Sequence, residues 1–203
     1  MVDVTGHFGM ALLFAAPAWA IWGRRGALGF TAFAVVTAML PDVDLVLRTH
    51  FPVTHHGVTH TVAFVALVSV LVGAFAARWL TDSFNAHRLI RSTTISEDIV
   101  FAFGTAGLFV GGASHIFADV PSAPDIAAPL SPFWPVYTKP VIVDVVYYDN
   151  PFWNVGLLAV AVSVHLVLAW HERYPLETRY RIGEPIGDVD GSEIVGMVDQ
   201  SEE

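Results

Sequence analysis

The chain contains no cysteine, which excludes disulfides and thiolate metal ligands together. Charge is also scarce: 14% of its 203 residues are Asp, Glu, Lys or Arg, where a soluble domain carries roughly 25%. Lys and Arg number only 10 against 19 acidic residues, and a phosphate-binding surface needs clustered basic side chains. Nucleic acid is therefore not an expected partner. What fills the chain is apolar, with 54% hydrophobic residues and a mean hydropathy of +0.57, which places it among membrane proteins.

Apolar runs occur at about 8–22, 26–41, 58–80, 99–118 and 152–170. A helix needs about 20 residues to cross a ~30 Å hydrocarbon core, so the last three are long enough. The first two are short, and Pro17 interrupts the first; they thin the bilayer or partly re-enter it. The predicted fold class is all-α, a polytopic membrane bundle of about five transmembrane helices over residues 1–181. An acidic tail follows at 182–203, where Glu184, Asp188, Asp190, Glu193, Asp199, Glu202 and Glu203 stand among glycines without one Lys or Arg. That composition predicts disorder. The first run ends in Ala18-Trp19-Ala20, like a signal-peptide cleavage site, but Asp3 precedes it and Arg24 and Arg25 follow it. A signal peptide begins with the basic residues, so the run is expected to be retained.

Lys and Arg stay on the cytoplasmic side of a membrane. With five spans, Arg24, Arg25, Arg78, Arg88, Arg91, Arg173, Arg179 and Arg181 fall on one side and only Arg48 and Lys139 on the other. The expected location is the cell membrane, multi-pass, with the N-terminus outside and the C-terminus cytoplasmic.

One set of histidines and aspartates falls independently on the outer side. His7 starts the first run, Asp42 and Asp44 end the second, His55, His56 and His60 start the third, and His115 and Asp119 end the fourth. Ionisable groups at bilayer depth are costly and usually functional. In Ser114-His115-Ile116-Phe117-Ala118-Asp119 the i, i+4 spacing puts an imidazole and a carboxylate on one helical face, which serves a metal chelate or a plain hydrogen-bonded pair. In Leu40-Pro41-Asp42-Val43-Asp44 the carboxylates follow a proline break; two apart, they do not share a helical face but can point the same way in an extended turn, while a solvated helix end is the commoner reason for such a pair. Thr54-His55-His56-Gly57-Val58-Thr59-His60 concentrates three histidines, with His56 and His60 spaced for one face and His55 reaching back through Gly57. A lone His7 also fits a satisfied core residue.

With an early His7, Leu40-Pro41-Asp42-Val43-Asp44, His55-His56-Gly57-Val58-Thr59-His60-Thr61, Ser114-His115 with Asp119, and the following Pro132-Phe133-Trp134-Pro135, the chain resembles the membrane-bound metal-dependent hydrolases named after YdjM. Some members of that family are described as binding the repressor LexA. The family's second block reads His-Arg-Gly-x-Thr-His-Ser, so His55 and His60 take its histidines while His56 stands in place of its Arg and Thr61 in place of its Ser. A more distant likeness is to zinc-dependent phospholipase C and single-strand nucleases. The further His and His-x-x-x-Glu of those enzymes have no counterpart here, since Ala169 stands four places after His165.

The resemblance implies a metal centre held by His7, Asp42, His60, His115 and Asp119, with Asp44 and His55 as catalytic residues, further ligands or partners of the ligands. Imidazole with carboxylate suits zinc first, one or two ions, with manganese or iron as alternatives. It implies that water activated by the metal attacks a phosphoester or other ester of a small-molecule or lipid-like substrate at the bilayer. The long loop from Val120 to Pro151 is expected to cover the site, as a substrate-binding lid or a structural cap. The glycines at 104, 107, 111 and 112 let helices approach closely. The competing class is a non-catalytic membrane binding or regulatory protein with a structural metal or polar cluster.

Overall fold

A computed structural model describes residues 2–86, 94–123 and 126–171. The expected disordered tail, and Arg88, Arg91, Arg173, Arg179 and Arg181, lie outside the described residues. Among the described residues six α-helices carry the fold: α1 (Val4–Ala15), α2 (Ala18–Thr37), the short α3 (Val43–Leu47), α4 (Val62–Ala86), α5 (Glu97–Asp119) and α6 (Pro151–Trp170). The loop between α5 and α6 adds a two-stranded antiparallel ladder of β1 (Ser122–Ala123) and β2 (Val143–Asp144). Three helices, α4, α5 and α6, are each long and apolar enough to cross a membrane.

The first two expected spans take a different form. α1 and α2 pass the same test only together, and they are bent by 119° to one another. Pro17 lies at the break because it has no N–H to continue the helix. The amide of Ala16 turns to the Leu13 carbonyl instead, and the carbonyl of Leu12 accepts from His165 Nε2 of α6 at 2.8 Å. Trp19 Nε1–H donates to the other ring nitrogen of His165 at 2.8 Å. One ring thus satisfies two polar groups that the bend exposes, a structural task for His165. A second kink follows at Gly23, whose φ of 67° suits glycine.

The start of α1 and the residues just after α2 meet at one end of the bundle, where His7 and Asp42 both contact His115. The pair therefore forms a hairpin that leaves that end and returns to it. Its legs are short, α1 reaching only about 18 Å at 1.5 Å per residue. Such a hairpin brings the chain back to the end of the bundle where α1 starts, so α4 sets out from that same end. Arg24 and Arg25 follow the Gly23 kink inside α2, and Arg78 lies within α4.

α5 is the central helix, packed on α1, α2 and α4. Its glycines allow this, as expected: a Cβ at Gly111 would stand 2.6 Å from the Ala34 carbonyl oxygen, and one at Gly112 would stand 2.7 Å from Val65 Cγ1. Gly73 of α4 meets Thr105 of α5 in the same manner. Near Gly23, Trp19, Trp22 and Phe30 form the apolar core with Phe103 against it. A groove of about 450 Å³ between α2, α4 and α5 is lined only by apolar residues and glycine, among them Phe33, Leu80 and Phe103. It holds none of the candidate site residues.

Gly111→Ala is expected to cost about 1–3 kcal/mol through overpacking against backbone that cannot yield. Gly156→Ala on α6, with nothing within 4 Å of the added methyl, serves as the comparison. Thermal unfolding in detergent should separate the two, and equal midpoints would refute the close approach.

Candidate metal centre

Each candidate side chain is delivered by a local feature of the sequence. Asp3 caps α1 by accepting from the Gly6 amide at 2.9 Å, and the first turn of that helix then carries His7 inward. Gly6 and Gly9 bring α1 against α6, where a Cβ on Gly9 would stand 2.8 Å from the Leu158 amide nitrogen. Asp42 and Asp44 bracket the start of α3, so the segment is a helical turn and not the extended one expected. Thr61 caps α4 by accepting from the Phe64 amide at 3.1 Å, placing His60 just ahead of the helix. His115 and Asp119 occupy the last turns of α5, on one face as their spacing predicts, 3.3 Å apart.

These elements bring the expected set together. His115 Nε2 lies 3.4 Å from Asp42 Oδ1, which lies 3.5 Å from His60 Nε2. His60 Nε2 lies 3.9 Å from Asp119 Oδ2, and that oxygen closes the ring at 3.3 Å from His115 Nε2. His7 Nε2 joins from the side, 3.4 Å from Asp119 Oδ1, with its ring stacked on His115 at 3.8 Å between centroids. Two ligands each ~2.1 Å from one ion stand at most ~4.2 Å apart, and every one of these contacts is shorter.

The nitrogen and oxygen atoms at the centre also have the right unmet need. His7 Nε2, Asp42 Oδ1, His56 Nε2, His60 Nε2 and His115 Nε2 are buried without a hydrogen-bond partner. Buried polar atoms are normally paired, and among these five Asp42, His60 and His115 lie close enough together to share one cation. A donor set of imidazole and carboxylate without sulfur suits a borderline divalent metal.

Asp44 stands behind this set. Its Oδ2 lies 3.1 Å from His60 Nδ1 and accepts from Thr59 Oγ1 at 2.9 Å, while its Oδ1 lies 3.0 Å from His55 Nδ1. His60 Nδ1 donates to Thr59 Oγ1 at 3.1 Å, which in turn donates to Asp44; this leaves Nε2 as the lone-pair nitrogen facing the centre, the usual brace of a metal-binding histidine. His55 is braced by the same carboxylate but lies at the edge, its side chain 14% exposed where that of His60 is fully buried. Burial would raise the Asp42 carboxyl, but the neighbouring rings of His115 and His60 outweigh it and hold the group well below the usual carboxylate range.

His56 is the residue that sequence reasoning passed over. Matching the family block assigned His55 and His60 and left His56 as a replaced arginine. The i, i+4 spacing of His56 and His60 was the available signal, but it acts here through a turn, since His56 has φ 62° and only Val58–His60 are 3-10 helical. The His56 ring is buried, its Nδ1 2.6 Å from the Ala128 carbonyl and its Nε2 3.8 Å from Asp119 Oδ2. Burial pushes this imidazole down to about 4, against the pull of the Ala128 carbonyl and Asp119.

The α5–α6 loop covers the end of the bundle, as expected. The Pro132 carbonyl accepts from the Val62 amide at 2.8 Å, and the fully buried Leu130 packs on Val65 and Ile116.

Fold and site together define the class: an integral membrane helical protein with buried His/Asp groups able to hold a metal ion. The family model described as YdjM inner membrane protein matches residues 1–181, and the chain belongs to that family. No curated protein and no solved structure matches, so no match supports the likeness to phospholipase C.

Metal analysis of detergent-purified protein checks the centre. Asp119→Ala and His60→Ala are each expected to abolish stoichiometric metal. Asp44→Asn, which loosens the brace on His60, is expected to weaken binding by about 10–100-fold. Metal content untouched by all three would remove the site.

Proposed function

We propose that the protein is a membrane-embedded metal-dependent hydrolase that cleaves a phosphoester or other ester of a lipid-like substrate. The observation that carries this reading is the convergence of His7, Asp42, His60, His115 and Asp119 in two groups that share His115, one with His7 and Asp119 and the other with Asp42 and His60, with a braced imidazole at the open edge. When bound, a divalent cation supplies electrophilic activation of water and of the ester oxygen; zinc fits the donor set first, and one or two ions, manganese or iron, are compatible with it.

The chain's own residues divide the remaining work. Asp42, His60, His115, Asp119 and His7 hold the ion. Asp44 fixes the orientation of His55 directly at Nδ1 and that of His60 through Thr59. His55, the most exposed of the set, takes and returns a proton at Nε2 while Asp44 steadies the charged ring.

The loop supports a substrate from the lipid phase. Between residues 126 and 148 only Lys139 and Asp144 are charged, and Phe133, Val136, Tyr137, Ile142, Val145 and Tyr147 are exposed. Apolar and aromatic side chains of this kind favour the headgroup boundary of the bilayer. We place that end of the bundle and the N-terminus outside and the C-terminus in the cytoplasm, following Arg24, Arg25 and Arg78 at the other end.

A second reading follows from the depth of the donors. His60, His115 and Asp119 are 0% exposed, which also suits a structural metal in a non-catalytic binding or regulatory protein. Hydrolysis of a panel of phosphoesters and carboxylesters by the metal-loaded protein separates the two. His55→Ala is expected to retain metal while kcat falls by about 10²–10⁴-fold. A metal-loaded wild type inactive across the panel would favour the second reading.

A further inference from the structure

His56 holds a backbone conformation that side-chain-bearing residues rarely adopt. It is the single non-glycine residue with positive φ among the described residues. Such strain persists only where the surroundings over-determine it. Here the left-handed turn swings the ring inward, between the His55 ring at 4.3 Å and the His60 ring at 4.8 Å between centroids. Packing alone does not account for an imidazole in that place, because a buried nitrogen without a partner is unfavourable and an apolar side chain would avoid it.

The two nitrogens of the ring do different things. Nδ1 is 2.6 Å from the Ala128 carbonyl oxygen. A carbonyl can only accept, so the ring proton sits on Nδ1 and the lone pair of Nε2 faces the centre. Nε2 has no hydrogen-bond partner and is 3.8 Å from Asp119 Oδ2, within the ~4.2 Å that two ligands of one ion can span. His55, His56 and His60 also offer nitrogens within 4.8 Å of one another.

We propose that His56 donates its Nε2 to the metal centre as a further ligand, and that the α5–α6 loop, through the Ala128 carbonyl, aims that nitrogen. Seating of the loop and completion of the coordination are then one event. The inference rests on the centre binding a metal, as the proposed function requires, and adds to it a nitrogen that answers to the loop.

Cobalt(II) titration of metal-stripped, detergent-purified full-length protein tests it, with the visible absorption band reporting coordination. His56→Asn retains an amide donor near Nδ1 for Ala128 but has nothing at the position of Nε2. We expect it to bind cobalt at least tenfold more weakly than wild type and to alter the band. Wild-type affinity and an unchanged band in His56→Asn would overturn the proposal and leave His56 as an anchor for the loop. If that variant does not purify as folded protein, His56→Gln replaces it, offering a weaker oxygen near Nε2 and no proton near Nδ1; an altered band supports the proposal and an unchanged one overturns it. A wild-type protein that takes up no cobalt, zinc or manganese would instead refute the metal-dependent function itself.

Discussion

Carboxylates and imidazoles buried at one end of an apolar bundle dictate the terms on which the rest of the chain folds. His7, Asp42, Asp44, His56, His60, His115 and Asp119 all have at most 9% of their surface exposed. Removing a carboxylate from water costs several kcal/mol unless charge or hydrogen bonds replace the solvent. Asp44 is repaid by Thr59, His55 and His60. Asp42 instead faces ring nitrogens at 3.4–3.5 Å, distances beyond a good hydrogen bond. What would satisfy it and those rings together is one positive ion, which is why the energetics of the fold and the chemistry of the site are a single question.

This demand explains the departure from simple transbilayer helices. A group at the start of α1 and another just after α2 both have to reach His115, so the intervening chain must come back to where it began. Pro17 and Gly23 break it in two places, and the shortness of its legs follows. The bends would leave a carbonyl and an indole N–H without partners deep in the bundle, and His165 answers both. α5 then has to stand close to the hairpin and to α4 at once, which Gly111 and Gly112 permit one turn before His115. The small residues of α5 and the polar residues at its end are thus parts of one device.

Much of this was legible in the sequence. The three long apolar runs became α4, α5 and α6, and His115 and Asp119 face the same way because helical spacing makes them. Convergence of His7, Asp42 and His60 on that pair followed from sorting segment ends by side, which a hairpin preserves as well as two spans do. The hairpin itself was only hinted at by Pro17, since apolar length cannot distinguish a helix that crosses from one that turns back. Asp42 and Asp44 were expected in an extended turn, but a short helix aims them at opposite nitrogens of His60. His56 was missed because its inward aim depends on a left-handed backbone and on a carbonyl more than seventy residues away, neither of which local spacing encodes.

The gradient of exposure across the cluster bears on how a substrate could reach it. His60, His115 and Asp119 are sealed, Asp42 borders solvent, and His55 stands outermost, so the proposed proton carrier lies between the proposed ion and the outside. The loop above is apolar on its outer surface and pinned from below by Leu130 and by backbone contacts to the α4 turn. A water-soluble substrate would meet mainly that apolar cover. An amphiphile already in the adjoining leaflet would approach along it toward His55 and Asp42, losing little hydration on the way. Enclosure therefore does not count equally against all substrates, and the apolar cover is the feature that the proposed lipid-like substrate answers to.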